Sequence, residues 1–256
     1  MRTPDELRTL VEAYLGELAL TPELYGQADS VRYAIDSPGK RVRPVICLAT
    51  AEAAGAEAEA ALPAGAALEL VHCFSLVHDD LPALDDDAER RGQPSTWAQY
   101  GEAVAVLAGD ALLAEAFRLA LSYPTSDVGR ELARATLGMI GGQYLDITGT
   151  APDEATLHKL KTGCLFAASV GLALWVAGVP EADQRPWRAF GDELGLLFQI
   201  VDDILDGDGY VLSHGSGGAR RLADEAAERA QARLAEVDAD TSILSGIVDG
   251  LATRTA

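Results

Sequence analysis

Residues 66–93 read AALELVHCFSLVHDDLPALDDDAERRGQ, and this stretch gives the strongest indication of the fold. Its first half repeats apolar residues at intervals of three and four, which predicts a helix buried on most of its sides. Asp79 and Asp80 close that helix, and the segment beyond it adds three more aspartates, Asp85, Asp86 and Asp87. Such a run is either a solvated acidic loop or a group of carboxylates that holds a cation, and alone it favours neither.

A second acidic cluster lies in the apolar segment FQIVDDILD, residues 198–206. Asp202 and Asp206 are four residues apart and share one face of a helix, with Asp203 beside them. Carboxylates in a helix otherwise suited to burial cost free energy unless a cation neutralises them. Two such helices facing each other would form a cage of oxygen ligands, which favours Mg²⁺ over zinc because no histidine–cysteine set accompanies it.

The composition narrows the class of protein. The chain has 256 residues, and 48% of them are hydrophobic. Its formal net charge is −20. So strong a negative charge repels phosphate backbones, and we therefore expect no nucleic-acid partner. Cys47, Cys73 and Cys164 are isolated and odd in number, which argues against disulfides or a zinc site and predicts a cytoplasmic location. The longest nearly apolar run, residues 164–180, is shorter than the roughly 20 residues that span a bilayer, so we expect no transmembrane segment.

Helical periodicity dominates the rest of the chain. Apolar residues recur at three and four in residues 6–18, 128–147, 154–176 and 187–206, whereas the alternation typical of strands is scarce. Prolines such as Pro63 predict breaks between helices, and none of these breaks is typical of a linker between domains. The sequence therefore predicts one all-α domain over residues 1–256, with its most apolar helices in the middle of a bundle.

Basic residues that could bind an anion are unevenly placed, and only three of the 20 are lysines. PGKRVRP contains Lys40 and Arg43. HKLKTG contains Lys159 and Lys161, and ERRG contains Arg90 and Arg91. Each of these residues alone is more typical of a solvated surface. His72 lies two helical turns before Asp79, and a single helical histidine is more often a core residue than a ligand.

Taken together, these segments resemble the trans-prenyltransferases, also called polyprenyl synthetases. GKRVRP, LVHDDLPALDDDAERRGQPS, LAGDALL, GGQYLDI, LKTGCLFAASV and FGDELGLLFQIVDDILD follow one another in the order of that family, between about Val31 and Asp206. The resemblance implies an isoprenoid-synthase helical bundle around a central active-site cavity, usually in a homodimer. It also implies Mg²⁺ between the two aspartate motifs, and two substrates, isopentenyl diphosphate and an allylic diphosphate.

The functional residues of the family transfer to this chain position by position. The resemblance implies that Mg²⁺ is held by Asp79 and Asp85, supported by Asp80 and Asp86, and by Asp202, aided by Asp203 and Asp206. It assigns the diphosphate of isopentenyl diphosphate to Lys40, Arg43, His72 and Arg91. It assigns the allylic diphosphate to Arg90, Lys161, Thr162 and Gln199. Of these residues, it implies that catalysis rests on Asp79, Asp85, Asp202, Arg90 and Lys161.

The expected product depends on the residues one turn before Asp79. Phe74, with Ser75 beside it, resembles the floor of family members that stop at the fifteen-carbon farnesyl product, although an aromatic residue there could also simply pack in the core. Farnesyl diphosphate is therefore the expected product. The inserted residues Leu81 and Pro82 resemble bacterial short-chain enzymes in general, which keeps geranylgeranyl diphosphate as the alternative.

The chain departs from the family pattern after Asp206. The family continues with a glycine-rich loop whose lysines contact the allylic diphosphate, whereas Lys161 is the last lysine of this chain. This departure predicts weaker allylic binding, an altered product length, or a regulatory subunit that works with a partner. A terpene cyclase, which also ionises diphosphates on aspartates, fits less well because DDILD lacks the Asn/Ser/Glu pattern of cyclases.

Overall fold

The periodic segments become helices along most of the chain. The computed structural model describes residues 1–254. Its helices are α1 (Pro4–Glu17), α2 (Gln27–Asp36), α3 (Val42–Ala53), α4 (Ala58–Asp79), α5 (Thr96–Tyr100), α6 (Glu102–Ala120), α7 (Asp127–Thr148), α8 (Glu154–His158), α9 (Cys164–Val176), α10 (Arg185–Asp206), α11 (Tyr210–Ala235) and α12 (Ser242–Ala252). A π-helical turn, Lys159–Gly163, joins α8 to α9, and short 3-10 turns lie at Pro22–Leu24 and Glu181–Asp183. The predicted all-α class is confirmed.

The most apolar helices lie in the middle of the bundle, as the sequence predicts. α9 contacts α3, α4, α7 and α10, and its residues from Leu165 to Leu174 are almost all buried. α4 contacts α3, α6 and α9, and most of its residues are buried as well. These two helices therefore form the centre of the bundle, around which the other helices pack.

α4 runs through Pro63, where the sequence predicted a break. A proline removes one backbone donor, whose partner here would be the carbonyl of Glu59. The flanking residues Ala61 and Ala64 are fully buried against neighbouring helices. The predicted break was wrong because the burial of the surrounding helix outweighs one lost hydrogen bond.

The first acidic segment folds back onto the end of α4. The backbone N–H groups of Asp85 and Asp87 donate to the carbonyl oxygens of Asp79 and Asp80 at 2.9 and 3.1 Å. A small hairpin follows, in which β1 (Glu89–Arg90) pairs with β2 (Gln93–Pro94). Its two turn residues, at positions 91 and 92, both have positive φ, as tight hairpin turns require. The hairpin returns the chain toward the aspartates.

Two helical segments, Ala58–Asp79 and Glu154–Val176, are long and apolar enough to cross a membrane by length and composition. Within the fold, 67% and 50% of their most apolar windows are buried. Burial of this kind is also what the core helices of a bundle show. The expectation that the chain has no transmembrane segment stays a prediction.

Candidate active site

Asp79 is the last residue of α4, so its carboxylate lies where a buried helix meets a cavity. Burial raises the pKa of Asp79 to about 6; the cation of Lys161 opposes this shift, and the carboxylates of Asp85 and Asp80 add to it. Carboxylates that are partly desolvated and close to one another are stabilised by an added cation. The first motif therefore has the electrostatics of a cation site.

Arg90 is bound to Asp80. Its Nε donates to Oδ1 of Asp80 at 2.9 Å, its Nη2 donates to the same oxygen, and Oδ2 of Asp87 lies 3.4 Å from that Nη2. Asp80 is only 3% exposed, and burial raises its pKa while the hydrogen bond from Arg90 lowers it. The structure thus places Arg90 beside the first motif, with its guanidinium engaged by a carboxylate.

The second motif divides between two faces of α10. Asp202 faces a basic cavity, and its Oδ1 lies 4.0 Å from Nη1 of Arg254. Burial raises the pKa of Asp202, and the carboxylate of Asp206 adds to the shift. Asp203 points about 100° away around the helix. It is buried and accepts hydrogen bonds from Nε2 of Gln199 at 2.7 Å and from the backbone N–H of Tyr210 at 2.9 Å.

The basic cavity has a volume of about 560 Å³ and lies where the loop before α3 meets α4 and α10. Lys40, Arg43, His72 and Arg91, which the resemblance assigns to one diphosphate, all line it. Arg254, which follows α12, lines it too and was not predicted from the sequence. With Arg41, six basic or imidazole residues line this one cavity, which suits a strongly anionic ligand.

Arg43 is held by aromatic rings instead of a carboxylate. Its Cζ lies 4.5 Å from the ring centroid of Phe166 and 5.9 Å from that of Phe198. Burial lowers the pKa of Arg43 to about 10, and its buried Nε has no hydrogen-bond partner among the described residues. Arg43 lines the cavity without a carboxylate partner among residues 1–254, so its charge can act on an anion bound there.

His72 stands beside this guanidinium on the same cavity wall. Burial, and then the neighbouring cations Arg43 and Arg91, hold the pKa of His72 well below its usual range. The imidazole is therefore neutral at physiological pH. It can offer a hydrogen bond to an anion without adding charge.

Arg41 has a structural role that was not predicted from the sequence. It is 4% exposed, and it binds Oε1 of Glu69 at 2.7 Å and Oε1 of Glu12 at 2.9 Å. Its Nη2 also donates to the carbonyl oxygens of Ile35 and Ser37 at 2.8 and 3.1 Å. Arg41 thereby fixes the loop that presents Lys40 and Arg43.

A second, apolar cavity of about 390 Å³ adjoins the basic one, between α4, α7 and α9. Phe74 and Ser75 both line it, on the same helix as Asp79 at its rim. Phe74 packs edge-on against His78 with centroids 4.9 Å apart, and Oγ of Ser75 donates to the carbonyl of His72 at 2.9 Å. The remaining walls are mostly aliphatic or aromatic, from Leu84, Met139, Ile140, Tyr144, Ile147 and Leu165.

Lys161 enters this apolar cavity from the π-helical turn. Gly142 of α7 lies so close to this turn that an added Cβ would overlap the backbone nitrogen of Lys161. The close approach lets Nζ of Lys161 pair with Asp146, one turn further along α7. Asp146 was not predicted as a site residue, although it lies in the GGQYLDI segment.

Thr162 connects the two cavities. It lines both of them, together with Arg43 and His72. Gln199 lines the basic cavity, but its amide donates to Asp203. The structure therefore brings the predicted diphosphate residues to one continuous region, with Asp79 at one side and Asp202 at the other. Arg90 is the exception, because it lines neither cavity and is bound to Asp80.

The acidic groups could hold a divalent metal. Among residues 1–254, one group of three acid or histidine donors has all its ligand atoms within 4.8 Å of one another, and it comprises Glu154, His158 and Asp203. The carboxylates of Asp79 and Asp202 are not preassembled in this way. A hard divalent ion at these carboxylates would complete its coordination with water and with phosphate oxygens of a ligand.

Comparison with known proteins agrees with this geometry. Residues 27–215 match the family model described as "Polyprenyl synthetase". The chain belongs to the polyprenyl synthetase family. It is 42% identical over 194 residues to a geranylgeranyl diphosphate synthase of Cyanophora paradoxa, which covers 70% of this chain and 64% of that protein. It is 38% identical over 212 residues to the farnesyl diphosphate synthase of Bacillus subtilis strain 168, covering 75% and 72%.

A solved structure, that of a geranyltransferase from Legionella pneumophila, shares the fold of this polyprenyl synthetase family member. It superposes with a TM-score of 0.87 at 29% identity and covers 98% of this chain and 96% of the other. The chain spans less than two thirds of the length of the Cyanophora relative. The family match ends at residue 215, where α11 has a non-helical glycine, so the departure seen after Asp206 lies at the edge of the matched region.

Proposed function

We propose that the chain is a short-chain trans-prenyl diphosphate synthase that condenses isopentenyl diphosphate with an allylic diphosphate. The observation that carries the proposal is the pair of adjoining cavities that share Arg43, His72 and Thr162. The basic cavity suits a diphosphate that keeps its ester bond throughout. The apolar cavity, with carboxylates at its rim, suits an allylic chain whose diphosphate leaves. The names of the two curated relatives support this reaction class.

The basic cavity would bind isopentenyl diphosphate through Lys40, Arg43, Arg91 and neutral His72. Several cations converge there on a volume that can enclose a diphosphate. Because Arg43 also touches the apolar cavity, it would place the double bond of isopentenyl diphosphate toward the allylic substrate.

The allylic diphosphate would bind at the rim of the apolar cavity. Lys161 and Arg90 are the cations that act on Asp79, and Thr162 lies beside them, so these residues would hold the leaving group. Asp79, Asp85 and Asp202, supported by Asp80, Asp86 and Asp206, would hold Mg²⁺. When bound, Mg²⁺ would supply positive charge to the departing diphosphate. Asp203 faces α8 and α11 instead, and its expected part in holding Mg²⁺ stays a prediction.

The side chains would assist the reaction by stabilising charge and excluding water. Lys161 and Arg90 would stabilise the negative charge that develops as the allylic C–O bond breaks. The double bond of isopentenyl diphosphate would then attack the allylic carbon, and loss of a proton would complete the condensation. The walls at Met139, Ile140 and Leu165 would keep water from the reacting carbon.

Farnesyl diphosphate is the product we propose, with geranylgeranyl diphosphate as the alternative. Phe74 is 8% exposed and lines the apolar cavity, held by its edge-on contact with His78. A bulky ring packed at the cavity wall would limit the length of chain that the cavity accepts. The relatives include both a geranylgeranyl and a farnesyl synthase, so they support either length.

Product analysis tests the proposal directly. Purified protein would be incubated with Mg²⁺, isopentenyl diphosphate, and dimethylallyl, geranyl or farnesyl diphosphate in turn. We expect a longer allylic diphosphate from at least one primer, and loss of product on Asp202→Ala while helicity is kept. A folded protein that extends none of the three primers would contradict the proposal.

A regulatory subunit is the second candidate function, favoured by the lack of any lysine after Lys161. Such a chain would be inactive alone and would change the rate or product length of a second, active family member. Mixing the two proteins in the assay distinguishes the candidates. Activity of this chain by itself would exclude the purely regulatory role.

The partner that we propose follows from an exposed apolar stripe, and the location follows from two buried cysteines. Leu137, Ile140, Tyr144 and Ile147 form an exposed apolar stripe on α7, and three of them line the apolar cavity, which suits a second copy of the chain as the partner. Cys47 and Cys73 are unpaired, and burial raises the pKa of each to about 12, as expected for inert core thiols in a reducing cytoplasm.

A further inference from the structure

Glu154 and His158, which the proposed reaction does not use, converge with Asp203 of the second motif on one point outside both cavities. Glu154 and His158 lie four residues apart at the two ends of α8, so they share one face of it. Asp203 of α10 faces them, turned away from Asp202. One donor atom from each residue lies within 4.8 Å of the other two.

The distance between the side chains of His158 and Asp203 shows that they are close but not hydrogen-bonded. Nδ1 of His158 lies 4.0 Å from Oδ2 of Asp203, is buried from solvent, and has no hydrogen-bond partner among the described residues. This distance is too long for a hydrogen bond, whose upper limit is about 3.2 Å. Two ligands bonded to one tetrahedral zinc ion at about 2.1 Å each lie about 3.4 Å apart. The metal-free pair is therefore not hydrogen-bonded and is slightly wider than a zinc-bound pair, so a small movement of the side chains would bring both atoms onto one ion.

Neighbouring groups hold the two carboxylates in place. Asp203 accepts from Nε2 of Gln199 and from the backbone N–H of Tyr210, which begins α11. Glu154 accepts from Oγ of Ser213 at 2.7 Å. Gly209 passes so close that an added Cβ would overlap Oδ2 of Asp203. Hydrogen bonds to ligating carboxylates are the usual support of metal sites in proteins.

We propose that Glu154, His158 and Asp203 bind a divalent ion of the zinc class, separate from the Mg²⁺ of the diphosphate site. One imidazole and two carboxylates are a donor set that zinc accepts, with water as the fourth ligand. The ion would connect α8, α10 and the first turn of α11. It would thus fasten the start of α11 just after the second aspartate motif, where the chain departs from its family.

Cobalt titration tests this site without any prenyl-transfer assay. Metal-free protein, prepared with a chelator, would be titrated with Co²⁺ in the presence of excess Mg²⁺, which fills sites made of oxygen ligands alone. We expect about one Co²⁺ per chain and the visible absorption of an imidazole-ligated ion. His158→Ala should weaken Co²⁺ binding by about tenfold or more and remove the absorption band.

Two matched variants separate this site from its neighbours. Asp79→Asn alters the proposed Mg²⁺ site and should leave the Co²⁺ band unchanged. His214→Ala removes the other histidine of this region, whose ring lies 5.9 Å from that of Tyr210, and should also leave the band unchanged. A band that survives His158→Ala, or that disappears with Asp79→Asn, would overturn the proposal, as would failure to bind Co²⁺ in excess Mg²⁺.

Thermal unfolding distinguishes loss of the metal site from loss of the fold in these variants. Zn²⁺ should raise the melting temperature of the wild-type chain and leave that of His158→Ala unchanged. If His158→Ala does not fold, Glu154→Gln replaces it, because Glu154 is only partly buried and its amide variant keeps the shape of the side chain. Equal Zn²⁺-induced shifts in the wild type and in the folded variant would overturn the site while leaving the proposed synthase reaction untouched.

Discussion

At the scale of single residues, Asp79 lies at the rim of the proposed active site, and its buried charge lowers the free energy of unfolding. Burial raises its pKa to about 6, so in the folded chain it keeps a proton at pH values where the unfolded chain has lost it. The free energy of unfolding therefore falls as the pH rises from the ordinary value of 3.8 to about 6, and the cost is fully present above that range. The ionised carboxylate of Asp79 therefore destabilises the metal-free fold, and a bound cation would offset that cost.

The first prediction concerns Asp79→Asn. Without metal at about pH 8, we expect the variant to melt about 2–4 °C above the wild type, the shift that about 1 kcal/mol produces in a domain of this size. At about pH 5 the difference in melting temperature should shrink, because the wild-type carboxyl is then largely protonated.

The same variant should also lose activity. Prenyl transfer should fall by more than about 100-fold, since a ligand of Mg²⁺ is lost. Differential scanning calorimetry in chelator and the product assay measure the two effects.

Asp238→Asn provides the matched control, because Asp238 is exposed in the turn between α11 and α12 and lines neither cavity. It should change neither the melting temperature nor the activity. If Asp79→Asn melts lower than the wild type at both pH values, the electrostatic account of Asp79 is wrong.

Arg254 is the second residue whose part can be measured. It lines the basic cavity and lies 4.0 Å from Asp202, in a chain that has no lysine after Lys161. Arg254→Gln should raise KM for isopentenyl diphosphate about tenfold, the effect of losing one charge-assisted contact of about 1.5 kcal/mol, with little change in kcat. Arg254→Lys should recover most of the affinity. Steady-state kinetics measures both constants.

Arg233→Gln is the control for Arg254, because Arg233 pairs with Glu236 on the exposed side of α11 and touches neither cavity. Unchanged KM in Arg254→Gln, or an equal rise in Arg233→Gln, would exclude a contact between Arg254 and the diphosphate.

At the scale of helices and turns, the sequence predicted what local spacing determines. The periodicity of residues 187–206 predicted α10 and the shared face of Asp202 and Asp206, and the motif order predicted the family. Contacts between distant segments were missed. Arg41 meets Glu69 and Asp146 meets Lys161 only because whole helices pack together, and Pro63 continues α4 because its neighbours are buried. No local pattern carries that information.

The approach of α7 to the π-helical turn gives the third prediction. Gly142→Ala would place a methyl group on the backbone of Lys161, and overpacking of this kind costs about 1–3 kcal/mol. We expect a loss of that size in the free energy of unfolding and reduced prenyl transfer, because Lys161 would shift. Gly141→Ala meets nothing within 4 Å and should be neutral or stabilise the helix by up to about 1 kcal/mol. Urea denaturation compares the two variants, and equal stabilities would contradict the packing argument.

At the scale of the whole molecule, a strong net charge and an apolar stripe act in opposite directions on association. Each chain carries a formal charge of −20, so two copies repel each other at low ionic strength. The stripe on α7, with Leu137 70% and Tyr144 64% exposed, is apolar surface that a second copy could bury. Added salt screens the repulsion and leaves hydrophobic burial intact. A dimer formed through this stripe should therefore tighten as salt is added, the reverse of a dimer held by ion pairs.

The fourth prediction follows from that balance. Size-exclusion chromatography with light scattering should give twice the chain mass of 26.9 kDa at moderate salt and a larger monomer fraction at low salt. Leu137→Glu should yield monomer under both conditions, because a buried, unpaired carboxylate opposes association. Leu212→Glu is the matched control, since Leu212 is 75% exposed on α11, outside the stripe, and this variant should remain dimeric. A Leu137→Glu variant that stays dimeric would place the interface on another face.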